Sequence, residues 1–390
     1  MNRNDLFLKR PASAFGEKWR DGTPLGNGLT GINLYGGIST ETFIVSRYDM
    51  WSSVVERFNE APNVSDCISK MRELGSKGDY IHASTVMYNR LRELGYTSAG
   101  QHMRCLRGVT FYFECPGVYS NYTRCLHMDT GEAEITFSLN KKPYKRRTFV
   151  SRNSDIVVSE LLFGKPTSFQ TKAAYFESHE DGRENHIKIV HLENENYDIR
   201  DGCYIYSSRN DDGLYCGLVI KITADSDTKF SSNEMIVEKA NKALVFIKAF
   251  SNETERETAI SNTIKAIKDE LDDYNAAFSK HVALHRVLYE SADISINQSR
   301  KYHSNEDLLL TARDKECSIE LIEKLWRFGR YLFISGCHEK GAPFPLYGLW
   351  VSGYDRSWSQ YVANENVEMC YWHTTVGNLN SLVKPLIQYY

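Results

Sequence analysis

From about residue 25 to residue 255 the chain alternates short apolar runs with polar breaks. GINLYGG, ETFIVSRYDMW, VTFYFEC, AEITFSL, KRRTFVS, DIVVSELLF, HIKIVHL, CYIYSS, YCGLVIKIT and KALVFIKAF are rich in β-branched and aromatic residues. Gly, Asn, Asp or Ser bound them, as turns bound strands. Many alternate apolar with polar, the pattern of half-buried antiparallel strands. So many strands at this spacing predict a large β-sandwich. One insertion interrupts it: between Val64 and Leu94, residues Ile68, Met71, Leu74, Met87, Leu91 and Leu94 fall at helical spacing.

Near residue 254 the period changes from two to 3.6. Residues 253–290 read as a helix pair with Ile260, Ile264, Ile267 and Leu271 on one stripe. Glu253, Glu255 and Glu257 stand at its start, where carboxylates suit the helix dipole. The polar run SINQSRKYHSNED reads as a linker. Residues 317–337 read as a further helix with apolar positions at Ile319, Ile322, Leu325, Phe328 and Leu332. A loop rich in Gly, Pro and aromatics follows, and a last helix is predicted to start near Asn366. The predicted order is a β domain over 1–254, a helical linker over 255–315 and a helical unit over 316–390. A lone helical hairpin leaves apolar faces without neighbours, so low local stability and self-association are expected there.

Composition narrows the function. The 390 residues hold 47 Lys and Arg against 50 Asp and Glu, a net charge of −3. That balance gives no electrostatic footprint for nucleic acid or a membrane surface. Nine cysteines, an odd number without C-x-x-C spacing, favour reduced core thiols over a disulfide framework or a zinc site. No metal or cofactor is expected. The start has no signal-like apolar run and no stretch of eighteen apolar residues occurs, so a cytoplasmic chain is expected. The 24 Tyr, 18 Phe and 6 Trp suit a sandwich core. They also suit a sugar site, where a flat ring meets the C–H face of a pyranose.

Particular motifs go further. Pro24-Leu25-Gly26-Asn27-Gly28, five residues after Trp19, continues as LTGINLYGG with Gly31, Gly36 and Gly37. Then come Glu41, Asp49, Trp51 and Ser52, then Tyr122, Arg124 and Leu126, then Tyr144, Arg146 and Phe149. At the far end stand Gly329-Arg330-Tyr331, Gly348-Leu349-Trp350 and Trp358, Tyr361, Asn364, Asn366, Met369, Tyr371, Trp372 and Asn378. Gly-Asn-Gly between strands is a hairpin turn in any protein. The whole set in this order resembles the amino-terminal half of glycoside hydrolase family 95, the inverting α-L-fucosidase type.

The resemblance implies a fold of an N-terminal super-sandwich, a helical linker and the first helices of an (α/α)6 barrel. It implies hydrolysis of a terminal α-linked fucose or related sugar from an oligosaccharide. Inversion needs an acid for the leaving oxygen and a base for a water on the opposite face. In the family two asparagines of an N-x-N motif hold that water, backed by a distant aspartate; Asn364 and Asn366 match them. The structural alternative for both is helix capping. The acid Glu and base Asp are expected beyond Tyr390, so the isolated chain is expected to be inactive. A separate chain carrying the rest of the barrel is then a candidate partner. Trp350, Trp358, Trp372, His373 and Glu368 are the candidate sugar contacts, with core packing the alternative for Trp372. Glu365 and Glu368 flank the asparagines, where the family has Ile and Gln.

Departures from the family are Pro345, Tyr347 and Val351 for polar residues, Val362 for a sugar-contacting Thr or His, and Cys370 for Asn. They suggest a divergent subgroup, for a sugar such as galactose. Two other readings stand beside this one. The first is a non-catalytic carbohydrate-binding protein built on the sandwich. The second is a family 65 relative, in which phosphate replaces water.

Overall fold

A computed structural model describes residues 2–12, 21–52, 62–95, 103–104, 107–178, 187–190, 194–210, 213–231, 233–270, 273–296, 301–350 and 364–390. Strands β1 (Asp5–Leu8), β2 (Thr23–Gly26), β3 (Thr30–Leu34), β4 (Thr40–Arg47) and β5 (Trp51–Ser52) come first. A helical pair, α1 (Ile68–Ser76) and α2 (Tyr80–Glu93), fills the predicted insertion. Then follow β6 (Met103–Arg104), β7 (Arg107–Phe113), β8 (Tyr119–His127), β9 (Glu132–Leu139), β10 (Lys142–Val150) and a long β11 (Val157–Ser178). After β12 (Ile187–Val190), β13 (Asn196–Arg200), β14 (Cys203–Arg209), β15 (Tyr215–Ala224) and β16 (Thr228–Ser231) comes a second long strand, β17 (Glu234–Glu253). Helices take over from there: α3 (Arg256–Asp269), α4 (Tyr274–Tyr289), α5 (Asn305–Asp314), α6 (Ile319–Gly336), α7 (Glu365–Glu368) and α8 (Lys384–Tyr389).

The pairings are antiparallel, as the alternating pattern predicts. One limb of the sheet runs β1-β8-β9-β10-β11-β17-β15-β14-β13. The other runs β2-β3-β4-β7 and joins the second half of β11. The two long strands cross between limbs. β11 pairs with β10 over Val157–Leu162 and with β7 over Phe169–Tyr175, with register shifts between Leu162 and Phe169. A bulge there bends the strand from one layer to the other.

Period-two patterning is visible in the core. Val157, Tyr204, Leu218 and Val245 point into the cluster between the layers, with Leu25, Ile32, Phe43 and Phe111 of the other limb. Their chain neighbours Val158, Ile205, Val219 and Phe246 point outward, onto Ile260, Ile264 and Ile267 of α3 and Tyr274 and Ala277 of α4. This limb is therefore buried on both faces, which its near-continuous apolar runs allow. Leu271, the fourth residue of the predicted stripe, lies outside the described residues.

Several motif residues converge on one turn. Glu41 is buried and its Oε1 accepts from the Tyr35 and Gly36 amides at 3.0 and 3.1 Å. The Tyr122 hydroxyl donates to Gly36 O at 2.7 Å, and Arg146 donates to Gly37 O and Ile38 O at 2.5 and 2.7 Å. Arg124 donates to Asp21 O at 2.7 Å. These side chains lock the Gly36-Gly37 corner rather than face a ligand.

The structure corrects three expectations. The polar run SINQSRKYHSNED ends inside a helix: α5 starts at its Asn305 and continues to Asp314, with N-cap Ser304 accepting from the Asp307 amide at 3.1 Å. The helix predicted near Asn366 is only the short α7, followed by turns through residue 378. The Thr374 hydroxyl donates to Tyr371 O at 2.7 Å, one of the local side-chain bonds that compete with helical continuation. The cysteines are not all core thiols: the eight described ones form no disulfide, but Cys317 is exposed and Cys115 and Cys370 are half-buried. Among the described residues no helix is long and apolar enough to cross a membrane.

Candidate functional site

The site begins at the corner between the sandwich and the helices. β2 and β3 form a hairpin with Gly26 opposite Gly31. Asn27 closes it: its Oδ1 accepts from the Leu29 and Thr30 amides at 2.9 and 2.8 Å, and its Nδ2 donates to Ser151 O at 2.8 Å. The glycines on either side let the end of α6 come down onto the backbone. A Cβ on Gly28, where φ is +86°, would lie 2.0 Å from the Cys337 carbonyl; one on Gly26 would lie 2.4 Å from Ser335 O. In that space the Gly28 amide donates to Ser335 O at 2.8 Å, the Tyr331 hydroxyl to Pro24 O at 2.8 Å and Trp350 Nε1 to Leu25 O at 2.9 Å. The PLGNG motif is thus a docking corner as well as a turn.

Arg152 ties the corner to α4. Its guanidinium donates to Asn27 O at 3.4 Å, to His285 Nδ1 at 3.4 Å and to Ile334 O. Its amide donates to His281 Nδ1 at 3.2 Å. The Nε2 atoms of His281 and His285 donate to Thr130 O and Met128 O at 2.8 and 2.9 Å. This bonding fixes both imidazoles in the neutral tautomer with the proton on Nε2. Burial, reinforced by the Arg152 charge, drives His281 down to about 3 and His285 well below its ordinary value. Burial likewise pulls Arg152 down to about 10.

Beside this corner lies a cavity of about 850 Å³. The outer face of α6 supplies Leu325, Trp326, Phe328, Leu332 and Phe333; the sandwich supplies Gly22, Pro24 and Asn33. The loop after α6 adds Phe344, Tyr347 and Trp350, and the C-terminal turns add Met369, Cys370 and His373. Such a mostly apolar concavity with a few polar groups is the ordinary form of a small-molecule site. Arg330 holds two walls together: it donates to Tyr289 O at 3.0 Å, Leu288 O at 2.6 Å and Gly377 O at 2.7 Å. Its guanidinium therefore caps α4 and anchors the segment that carries His373.

The predicted site residues separate here. Trp350 and His373 line the cavity. Trp350 is 7% exposed and its N–H is engaged, so it offers a ring face only. His373 is half-buried, its ring edge-on to Phe333 with centroids 4.7 Å apart, and among the described residues its Nε2 has no hydrogen-bond partner. Burial and then the Arg330 charge lower its pKa. Trp372, next along, is 67% exposed and points away, so it is not the core residue its alternative reading made it. Asn364 caps α7, its Oδ1 accepting from the Asn366 amide at 3.0 Å. It is exposed, as are Glu365 and Glu368, while Asn366 is half-buried, and none of the four lines the cavity. Trp358 lies outside the described residues.

Among the described residues the cavity wall offers one carboxylate, Asp293. It pairs with Arg3 at 2.7 Å and Arg327 at 3.2 Å. This arrangement can seat an apolar or sugar-like ring. The described wall holds no second carboxylate, so it does not by itself supply the acid and base pair of a glycoside hydrolysis. Motif reading found Trp350 and His373. It passed over Arg152, His281, His285 and Trp326, for which the only signal was helical spacing or a single charge among strands.

Residues 6–256 match the model of the glycosyl hydrolase family 65 N-terminal domain, and residues 273–390 match that of the glycosyl hydrolase family 95 catalytic domain. The chain belongs to the glycoside hydrolases of the family 95 type, with an N-terminal domain of the family 65 type. Two curated relatives agree with this. One is the Arabidopsis thaliana protein named Alpha-L-fucosidase 2, 22% identical over 98% of this chain and 49% of its own length. The other is an Aspergillus niger protein named as a probable alpha-fucosidase A, 23% identical over 69% of this chain and 35% of its own length. The chain thus spans about half or less of these relatives. A solved structure from the human microbiome that carries the name kojibiose phosphorylase covers 90% of the chain, and the chain covers 44% of it. Its TM-score of 0.52 at 11% identity shows a shared fold. Along the chain the family 65 N-terminal match precedes the family 95 catalytic match.

Proposed function

We propose that the chain is part of an inverting glycosidase of the α-L-fucosidase kind, acting on terminal α-linked fucose or a related sugar of an oligosaccharide. In this reading residues 1–254 are the sandwich, 255–315 the helical linker and 316–390 the opening of a helical barrel. The observation that carries it is the cavity beside α6. The segment matched to the family 95 catalytic domain supplies most of its wall, including Trp350 and His373. These two give a sugar a ring face and a neutral nitrogen.

Asn364 and Asn366 are assigned the role of holding the attacking water, and Trp358, Trp372 and Glu368 are assigned to the sugar as further contacts. A neutral amide oxygen positions water and scarcely activates it. Asp293, the carboxylate of the described wall, is committed to two arginines. The reading therefore assigns the acid and the base to the part of the relatives that these 390 residues do not span, supplied by further sequence or by a separate chain. Cytoplasmic placement belongs to the same proposal.

The test is an assay of the chain from a host lacking fucosidases. It is expected to be inactive on aryl α-L-fucosides and α-L-galactosides. Joined to the second half of a relative, it is expected to hydrolyse them with inversion. In that enzyme Asn364→Gly or Asn366→Gly should lower kcat far more than it raises KM. Turnover by the unjoined chain that Glu365→Gln or Glu368→Gln abolishes would place the carboxylates locally and overturn the reading.

A further inference from the structure

Outside the cavity lining, three neighbouring strands gather a second set of chemistry-bearing side chains. In the β1–β8 pairing Asp5 stands opposite His127, and in the β8–β9 pairing His127 stands opposite Glu132 and Cys125 opposite Glu134. Cys125 and His127 are two apart on β8 and share a face. His127 Nδ1 lies 2.8 Å from Asp5 Oδ1 and 3.8 Å from Cys125 Sγ. Candidate ligand atoms of Asp5, Cys125 and His127 all lie within 4.8 Å of one another. Cys125 is 7% exposed, yet among the described residues it belongs to none of the apolar clusters. A buried thiol facing a carboxylate and an imidazole is not filling a hydrophobic gap.

We infer that Asp5, Cys125 and His127 form a binding site for a divalent cation of the zinc class, fastening β1 to β8. One thiolate, one carboxylate and one neutral imidazole carry two negative charges, matching a dication. A mixed sulfur, nitrogen and oxygen set suits zinc better than magnesium or calcium. With Zn–S near 2.3 Å and Zn–N near 2.1 Å, tetrahedral geometry puts sulfur and nitrogen about 3.5 Å apart. The observed 3.8 Å is close to that. The same geometry asks for an oxygen–nitrogen separation of about 3.3 Å. The Asp5–His127 contact of 2.8 Å must open by roughly half an ångström, since without metal it is an ion pair.

The surroundings fit a ligated metal. A ring nitrogen of His127 and carboxylate oxygens of Glu132 and Glu134 lie within 4.8 Å of one another, so these carboxylates add negative charge beside the site without bonding the ring. Asp5 Oδ2 accepts from the Asn2 amide at 2.6 Å, which fixes the carboxylate. The side chains of His127 and Glu134 are each 26% exposed, leaving an entry path and a fourth position open to water. The opposing charges nearby are already engaged: the Lys324 ammonium is held by Asp5 O at 2.6 Å, Lys145 pairs with Glu134 at 2.5 Å and Arg147 lies 3.9 Å from Glu132. The ligands stand about 120 residues apart on two strands, so no spacing motif could announce them.

The full chain is stripped with chelator and titrated with Co²⁺, then with Zn²⁺. One cobalt per chain should give a thiolate-to-metal charge-transfer band and the visible bands of a tetrahedral ion. Zinc should displace it and raise Tm. Cys125→Ser and His127→Gln should each abolish the band and the Tm shift. Cys317→Ser, which removes the exposed thiol, should leave both unchanged. Absence of a thiolate band in the Cys317→Ser chain overturns the inference and leaves an ion pair only. So does a Cys125→Ser chain that binds zinc as the parent does. If Cys125→Ser does not fold, the Cys317→Ser spectrum alone decides.

Discussion

Helix α3 lays Ile260, Ile264 and Ile267 on the outer face of the sheet, whereas α6 leaves Ile319, Ile322 and Leu325 exposed and buries Glu320, Glu323, Lys324 and Arg327. Both helices carry an apolar stripe at helical spacing, and α6 has the stronger one. Their anchorage differs. α3 is held by apolar burial on Val158, Val219 and Phe246. α6 buries Tyr331, Phe333 and Ile334 in the main core at its C-terminal end, and the rest of its length is held by polar groups with named partners. Lys324 donates to Asp5 O, Arg327 meets Glu323 and Asp293 at 3.2 Å, and the last carbonyls sit on the glycine corner. A stripe predicts that a face will be covered, not what covers it.

The sharpest way to break this contrast is at the corner. Gly28→Ala puts a methyl where the Cys337 carbonyl lies and forces an L residue to φ +86°. Strain at positive φ and overpacking against backbone together cost about 2–4 kcal/mol. Urea midpoints should fall accordingly, and limited proteolysis should release residues 301–390 first. Gly75→Ala, in a helix with nothing near its Cβ, should be neutral or stabilising. Equal effects of the two changes would show that α6 is not held at this corner.

A second effect is smaller and depends on pH. His281 is neutral in the folded chain with a pKa near 3, against 6.5 as its ordinary value. Above about 6.5 neither state takes up a proton and the contribution is complete. As pH falls from there toward 3 the unfolded chain binds a proton that the folded chain refuses. Stability is then lost at roughly 1.4 kcal/mol per pH unit. His285 adds in the same direction. Urea unfolding at pH 7.5, 6.5 and 5.5 should therefore show a steeper decline for the parent than for His281→Gln, which titrates nothing. Parallel declines would mean that another group carries the acid sensitivity.

The sandwich was legible because its signal is local. Alternation in AEITFSL or YCGLVIKIT states both the strand and its buried face. Helix α5 was hidden by its pattern: Leu308, Leu309 and Leu310 run consecutively rather than at helical spacing, and its start depends on a cap at Ser304. Part of the site was legible through motifs, since Trp350 and His373 do share a cavity. The rest depended on tertiary contact. Nothing in a lone Arg152 says that it will bridge Asn27, His285 and Ile334. Nor does Gly28 announce that its missing side chain makes room for another segment's carbonyl.

The smallest expected effect tests the contrast most directly. If the α6 stripe is unsupported in this chain, then Leu325→Ser removes little that is buried. Leu325 is 58% exposed, so its change should lie within about ±0.5 kcal/mol, the range of surface substitutions. Ile260→Ala on α3 deletes a fully buried side chain and should cost about 2–5 kcal/mol through lost transfer and a cavity. The two are compared by urea unfolding at a concentration where the parent sediments as a monomer. A loss at Leu325 approaching that at Ile260 means the stripe is covered in solution. Repeating the measurement over a hundredfold dilution then separates two origins. A loss that shrinks on dilution comes from contact between copies, and one that persists comes from the chain's own residues.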